Sequence, residues 1–214
     1  MAHIIDSRGV RVTSRSKRHP LRLLAVLAGF AAAALTVGSA QAVPAAGPSP
    51  VPSLDLTRYA GTWHQLAAIP QFFQLACARD TTANYTLDPQ GDVVVRNRCT
   101  TWANTTNEVT GTATVNDRVT NAQLHVSFPG VPTQDRGTGP TNYIVTALAP
   151  DYSWAVVTSP NRLSGFVLAR ATRLDAAAWS LVRAGIVAAG QDPCVYLTSP
   201  SVGGFTGIVP LCTV

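Results

Sequence analysis

Residues 82–100, Thr82-Ala83-Asn84-Tyr85-Thr86-Leu87-Asp88-Pro89-Gln90-Gly91-Asp92-Val93-Val94-Val95-Arg96-Asn97-Arg98-Cys99-Thr100, read as two strands joined by a tight turn. Pro89 fixes one corner of that turn, and Gly91 relieves the other, where backbone of positive φ is needed. On the second arm Val93 and Val95 share one face while Arg96 and Arg98 take the opposite one. Period-two alternation therefore turns the apolar groups toward a core and the charges toward water, which sets the register of the pair.

Outward from this hairpin, short runs of Val, Thr, Tyr and Ile recur between clusters of Pro, Gly, Asn and Asp, as in an antiparallel meander. Strands are predicted over 62–69, 82–87, 93–100, 107–115, 122–127, 143–148, 152–158 and 165–170. One helix follows: Asp175 can accept from the first free amides, Trp179, Val182, Ile186 and Ala189 share a face, and Gly190 ends the run. The fold class implied is all-β, an eight-stranded antiparallel up-and-down barrel with one C-terminal α-helix packed outside. Closure of such a sheet removes its edges and leaves an interior wide enough for one small ligand.

Composition agrees with one folded domain, since 46% of residues are hydrophobic and 13% charged, too much apolar matter and too little charge for a disordered chain. The net charge of +5 is a property of the front: six of the sixteen basic residues precede residue 43, against one of the eleven acidic ones, so ten of each remain. A neutral remainder gives no ground for nucleic-acid binding. The leading segment has a basic run through Arg18, an apolar stretch from Leu21 to Val37 and small residues at Ala40 and Ala42, the order of a secretory signal. Cleavage after Ala42 is expected, with an uncut signal anchor as the competing reading. No cysteine stands at that point to be acylated, so no stable membrane anchor is expected and the product is secreted. The domain boundaries that follow are 1–42 signal, 43–52 Pro-rich linker unsuited to packing, 53–199 barrel with its helix, and 200–214 tail.

Leu54-Asp55-Leu56-Thr57-Arg58-Tyr59-Ala60-Gly61-Thr62-Trp63 resembles the opening signature of lipocalins. Pro150-Asp151-Tyr152 at the turn before the seventh strand and Arg170 at the end of the eighth stand in the order that family keeps. The resemblance runs from about Leu54 to Ser199, and Phe72-Phe73-Gln74 with Ala83-Asn84-Tyr85-Thr86-Leu87 looks most like the bacterial and apolipoprotein D branch. His64 departs from its usual Tyr, Gln65 from its frequent Glu, and the tail from Pro200 has no counterpart. The resemblance implies a structural barrel base of Gly61, Trp63 and Arg170, in which the guanidinium stacks on the indole, a contact of about 1–2 kcal/mol when desolvated.

With Trp63 inward, alternation places Gln65, Ala67 and Ile69 on the cavity side. Tyr85, Val95, Asn97, Val126, Phe128, Val145, Ala147, Val157 and Phe166 follow by the same parity, while Arg96, Arg98 and His125 belong in water. Together with Tyr143 and the loop aromatics Phe72 and Phe73, those residues form the candidate ligand site, Ala147 excepted. The expected ligand is a small apolar molecule such as a fatty acid, lysolipid or isoprenoid; the competing reading is a barrel filled by its own side chains. Phe72 and Phe73 either gate the open end or cap the core, and the loop from Pro129 to Thr141 flanks the same opening and is expected to be mobile.

Cys77, Cys99, Cys194 and Cys212 all follow the export signal, so disulfides are expected before metal or catalysis. Cys77 and Cys99 flank the hairpin, which favours pairing them and leaves Cys194 for Cys212; a rival joins Cys77 to the tail, as in relatives. An enzyme would need a free inward thiolate, and haem an inward His64 or His125; neither arrangement is visible. The expectation is a monomeric carrier with no catalytic residue, cofactor or metal. A lipocalin-fold enzyme acting on a lipid, or a protein-interaction module using the open-end loops, are the alternatives.

Overall fold

The computed structural model describes residues 47–132 and 134–214; the export signal expected over 1–42 and its cleavage point lie outside the described residues. Eight strands run antiparallel in chain order: β1 (Gly61–Ala68), β2 (Cys77–Leu87), β3 (Val93–Thr101), β4 (Thr106–Val115), β5 (Gln123–Ser127), β6 (Tyr143–Leu148), β7 (Trp154–Thr158) and β8 (Gly165–Ala169). β1 pairs with both β8 and β2, which closes the sheet into a barrel. Helix α1 (Leu56–Tyr59) precedes β1, helix α2 (Ala176–Ala188) follows β8, and a short β9 (Leu197–Thr198) adds to the outer edge of β1.

The predicted strands are all present, and the turn after β2 forms as its residues demand. Gly91 takes φ +78° and donates to the Asp88 carbonyl at 3.1 Å, while Asp88 Oδ1 accepts from the Gln90 and Asp92 amides. β2 is the strand that most exceeds expectation, beginning at Cys77 rather than Thr82. Its first half carries two register shifts against β3 and Asp80 at φ +55°, so alternation is broken there and the strand is hidden from a period-two reading.

Apolar packing divides between the two faces of the sheet. Inside, Trp63, Tyr85, Val95, Leu124, Val145, Val157 and Leu168 belong to one buried cluster. Outside, Leu66, Val156 and Val167 pack under Trp179, Val182 and Ile186 of α2. Asp175 caps that helix by accepting from the Ala178 amide at 2.7 Å, and Gly190, at φ +78°, ends it. Close approach depends on Gly185, where a Cβ would come within 2.7 Å of the Ala147 methyl.

Two bulges correct the parity reading. β1 and β8 slip between Gln65 and Ala67, and β6 and β7 between Val145 and Ala147. Each extra residue turns the following side chain to the other face. Ala67, Ile69 and Ala147, expected inside, therefore join the outer cluster beneath α2. His125 is a second correction: it lies on the outer face as expected, yet it is only 9% exposed. The loop from Pro129 to Thr141 covers it, with Nδ1 2.7 Å from the Pro140 carbonyl and Nε2 2.8 Å from that of Arg136. The Pro-rich segment is likewise packed in its described part, because Pro48 is buried and the Val51 amide donates to the Val145 carbonyl at 2.8 Å.

One end of the barrel is sealed. Trp63 is fully buried, its Nε1 donates to the Tyr59 carbonyl at 2.8 Å, and the Arg170 guanidinium lies 3.8 Å from the indole centroid. Arg170 also donates to the carbonyls of Arg58, Ala60 and Thr62 at 2.7–2.8 Å. Gly61, at φ +94°, lets the chain pass beneath it; a Cβ there would meet Arg170 Nη1 at 3.3 Å.

All four cysteines pair, Cys77 with Cys99 and Cys194 with Cys212. The second bridge holds a tail that folds back on the outer face, with Leu211 fully buried and Phe205 5.6 Å from Trp179.

Replacing Arg170 by Ala removes the ring contact and leaves three carbonyls without their donor, so unfolding free energy should fall by about 2–4 kcal/mol in a denaturant titration. The double replacement Cys194→Ala with Cys212→Ala opens a loop of sequence separation 18. It should cost about 3 kcal/mol by the same measurement.

Candidate functional site

Opposite the sealed Trp63–Arg170 end, the interior opens where the loops β1–β2, β3–β4, β5–β6 and β7–β8 gather. The interior holds a cavity of about 400 Å³, within the range of roughly 300–1,000 Å³ usual for small-molecule sites. Its middle is apolar, walled by Ala83, Val93, Val95, Val109, Ala113, Leu124 and Leu168. Ala and Val at most of these inward positions leave the space, since larger side chains would meet across the barrel.

The mouth is polar. Gln74 Nε2 donates to Gln65 Oε1 at 2.9 Å, Gln65 Nε2 to Ser199 Oγ at 2.8 Å, and Gln71 Nε2 to the Leu163 carbonyl at 3.0 Å. These bonds hold the single 3₁₀ turn at Phe72–Gln74 across the opening. Phe73 lines the cavity, whereas Phe72 meets it edge-on at 5.5 Å and is 60% exposed.

Toward the sealed end lie three phenols. Tyr59 Oη is 2.7 Å from Tyr143 Oη, which is 3.2 Å from Tyr85 Oη, and all three rings line the cavity. Burial pushes the Tyr85 hydroxyl up to about 12 and raises those of Tyr59 and Tyr143 well above the ordinary phenol value. All three are therefore neutral at physiological pH. Partway up the wall, Asn97 Oδ1 is buried without a hydrogen-bond partner.

Of the residues expected from sequence, Gln65, Phe73, Tyr85, Val95, Asn97, Val126, Phe128, Tyr143 and Phe166 come together around the cavity. Val145 and Val157 face inward in the same cluster but are packed away, at 0% and 1% exposure. Ala67 and Ile69 are outside for the reason given above, and Phe72 turns from the cavity to solvent. Several lining residues lie outside the sequence reading, among them Arg98 and Tyr59. Arg98, assigned to water, reaches the mouth; Tyr59 belongs to the four-residue α1 and to no strand, so period-two counting has no means of placing it.

The arrangement suits containment. Among the described residues no group of three or more His, Cys, Asp or Glu could hold a metal ion, and neither His64 nor His125 lines the cavity.

Comparison with known proteins gives the same architecture. Residues 54–200 match the lipocalin-like domain. Temperature-induced lipocalin-1 of Arabidopsis thaliana is 31% identical over 150 residues, covering 66% of this chain and 76% of that protein. A lipocalin of Acanthamoeba polyphaga mimivirus is 36% identical over 116 residues, covering 51% of this chain and 63% of its own. Among solved structures, insecticyanin from the tobacco hornworm Manduca sexta superposes with a TM-score of 0.57 at 16% identity, covering 73% of this chain and 84% of its own. Lobster apocrustacyanin A1 does so at 0.53 and 14%, covering 75% and 93%. From the closed barrel with its sealed base, and from a domain match that spans most of its length, the chain belongs to the lipocalin family.

Proposed function

We propose that this protein is an exported, monomeric carrier that holds one small apolar molecule in its barrel and performs no chemistry on it. The observation that carries the reading is the cavity of about 400 Å³ with an apolar middle. Apolar space of this size costs stability when nothing fills it, and a guest of matching shape recovers that cost. Lipocalins are generally binding proteins, which supports a container over an enzyme. The cysteines that could supply a nucleophile are all bridged, and two bridges suit an oxidising compartment outside the cell. The candidate ligand contacts are Gln65, Phe73, Tyr85, Val95, Asn97, Val126, Phe128, Tyr143 and Phe166.

Titration with the neutral dye N-phenyl-1-naphthylamine should give a saturable, blue-shifted emission that a fatty acid or isoprenoid alcohol displaces. Val95→Trp places an indole in the cavity and should weaken dye binding at least tenfold, with an unchanged far-ultraviolet circular dichroism spectrum. A signal that never saturates, or one untouched by Val95→Trp, would overturn the carrier reading.

A further inference from the structure

The three phenols near the sealed end form an open chain with Tyr143 in the middle. Each hydroxyl has one proton to donate. Two hydrogen bonds use two protons, and the third has no acceptor among the described residues whichever way the chain is directed. If Tyr59 and Tyr85 both donate to Tyr143, the spare proton is on Tyr143; if the chain runs through Tyr143, it is on an end member. Raised acidity constants keep all three protonated at neutral pH. The floor of the cavity is thus a neutral hydrogen-bond donor set in an apolar wall.

Asn97 carries the complementary lack. Its Oδ1 is a buried acceptor with no partner. It lies two positions along β3 from Val95, the register partner of Tyr85, so it stands about 7 Å nearer the mouth.

Resting on the carrier reading of the same cavity, we infer that the ligand is an oxygenated apolar molecule. It enters with a neutral accepting oxygen, of the ketone class, against the tyrosines, and its hydroxyl some way behind donates to Asn97 Oδ1. A carboxylate fits the floor poorly. Burying an ion needs a paired charge. The nearest cation, Arg170, lies flat over Trp63 and directs three of its five N–H groups to backbone carbonyls.

The test is displacement of N-phenyl-1-naphthylamine by 2-pentadecanone, pentadecane and pentadecanoic acid. The ketone should bind about tenfold tighter than the alkane, the worth of one hydrogen bond to a buried donor. The acid at neutral pH should gain no such advantage. A hydroxyketone with its hydroxyl about five carbons along should bind tighter still, and Asn97→Leu should remove that extra gain alone. Tyr85→Phe leaves two phenols, one bond and one spare proton, so the ketone preference persists. Only the triple change Tyr59→Phe, Tyr85→Phe and Tyr143→Phe should abolish it. The carbonyl stretch of ¹³C-labelled ketone should lie at lower wavenumber in the native protein than in the triple variant or in alkane solvent; the solvent comparison decides if that variant does not fold. Equal displacement by ketone and alkane, a preference that survives the triple change, or the acid as tightest ligand would each sink this inference and leave the carrier reading standing. Absence of any saturable dye signal would sink both.

Discussion

Arg170 lies flat on the indole of Trp63 while Nη1 and Nη2 donate to the carbonyls of Arg58, Ala60 and Thr62. These carbonyls belong to the point where α1 gives way to β1, a place where the main chain has left its helix and its acceptors need partners. One planar cation supplies them all and covers Trp63, which stops the narrow end of the barrel. A tube open at both ends would admit water along its length and hold no dry interior. The apolar middle, the protonated tyrosines and the unpartnered Asn97 oxygen all depend on that stopper.

The sheet has to satisfy two cores at once. Its inner face needs small and branched side chains that leave room, and its outer face needs a flat apolar patch for α2. Strict alternation serves one demand along a strand of fixed twist. At β1 and β6, bulges at Leu66 and Thr146 break the alternation and direct Ala67 and Ala147 into the outer cluster. Gly185 completes the fit from the helix side, because Ala147 leaves no space for a side chain there. The bulges thus let one sheet be a container on one face and a foundation on the other.

What the sequence makes legible follows from the same physics. β3 and β4 pair without interruption, so Val93, Val95, Asn97 and Val109 are placed correctly by counting in twos, and the fold class follows from that region. Counting fails wherever an extra residue enters a strand, as it does at Ala67 and Ile69, since nothing in a run such as Gln65-Leu66-Ala67 marks which residue bulges. Charge and parity place His125 in water, and it does lie on the outer face; its burial comes from a loop that tertiary folding lays over it. Tyr59 shows a further limit. Its hydroxyl meets Tyr143 across 84 positions of chain, and a polar cluster assembled from α1, β2 and β6 leaves no local trace in any of the three segments.

The stopper at the base also has a kinetic side. With one end of the barrel blocked, arrival and departure of any occupant share the doorway framed by the Gln74–Gln65–Ser199 bonds and by the loop fastened over His125. Loosening that frame speeds both directions in proportion and leaves the equilibrium constant nearly where it was. The rim thereby sets the rate of exchange without setting affinity, whereas the wall and floor set affinity and, through it, lengthen residence as well.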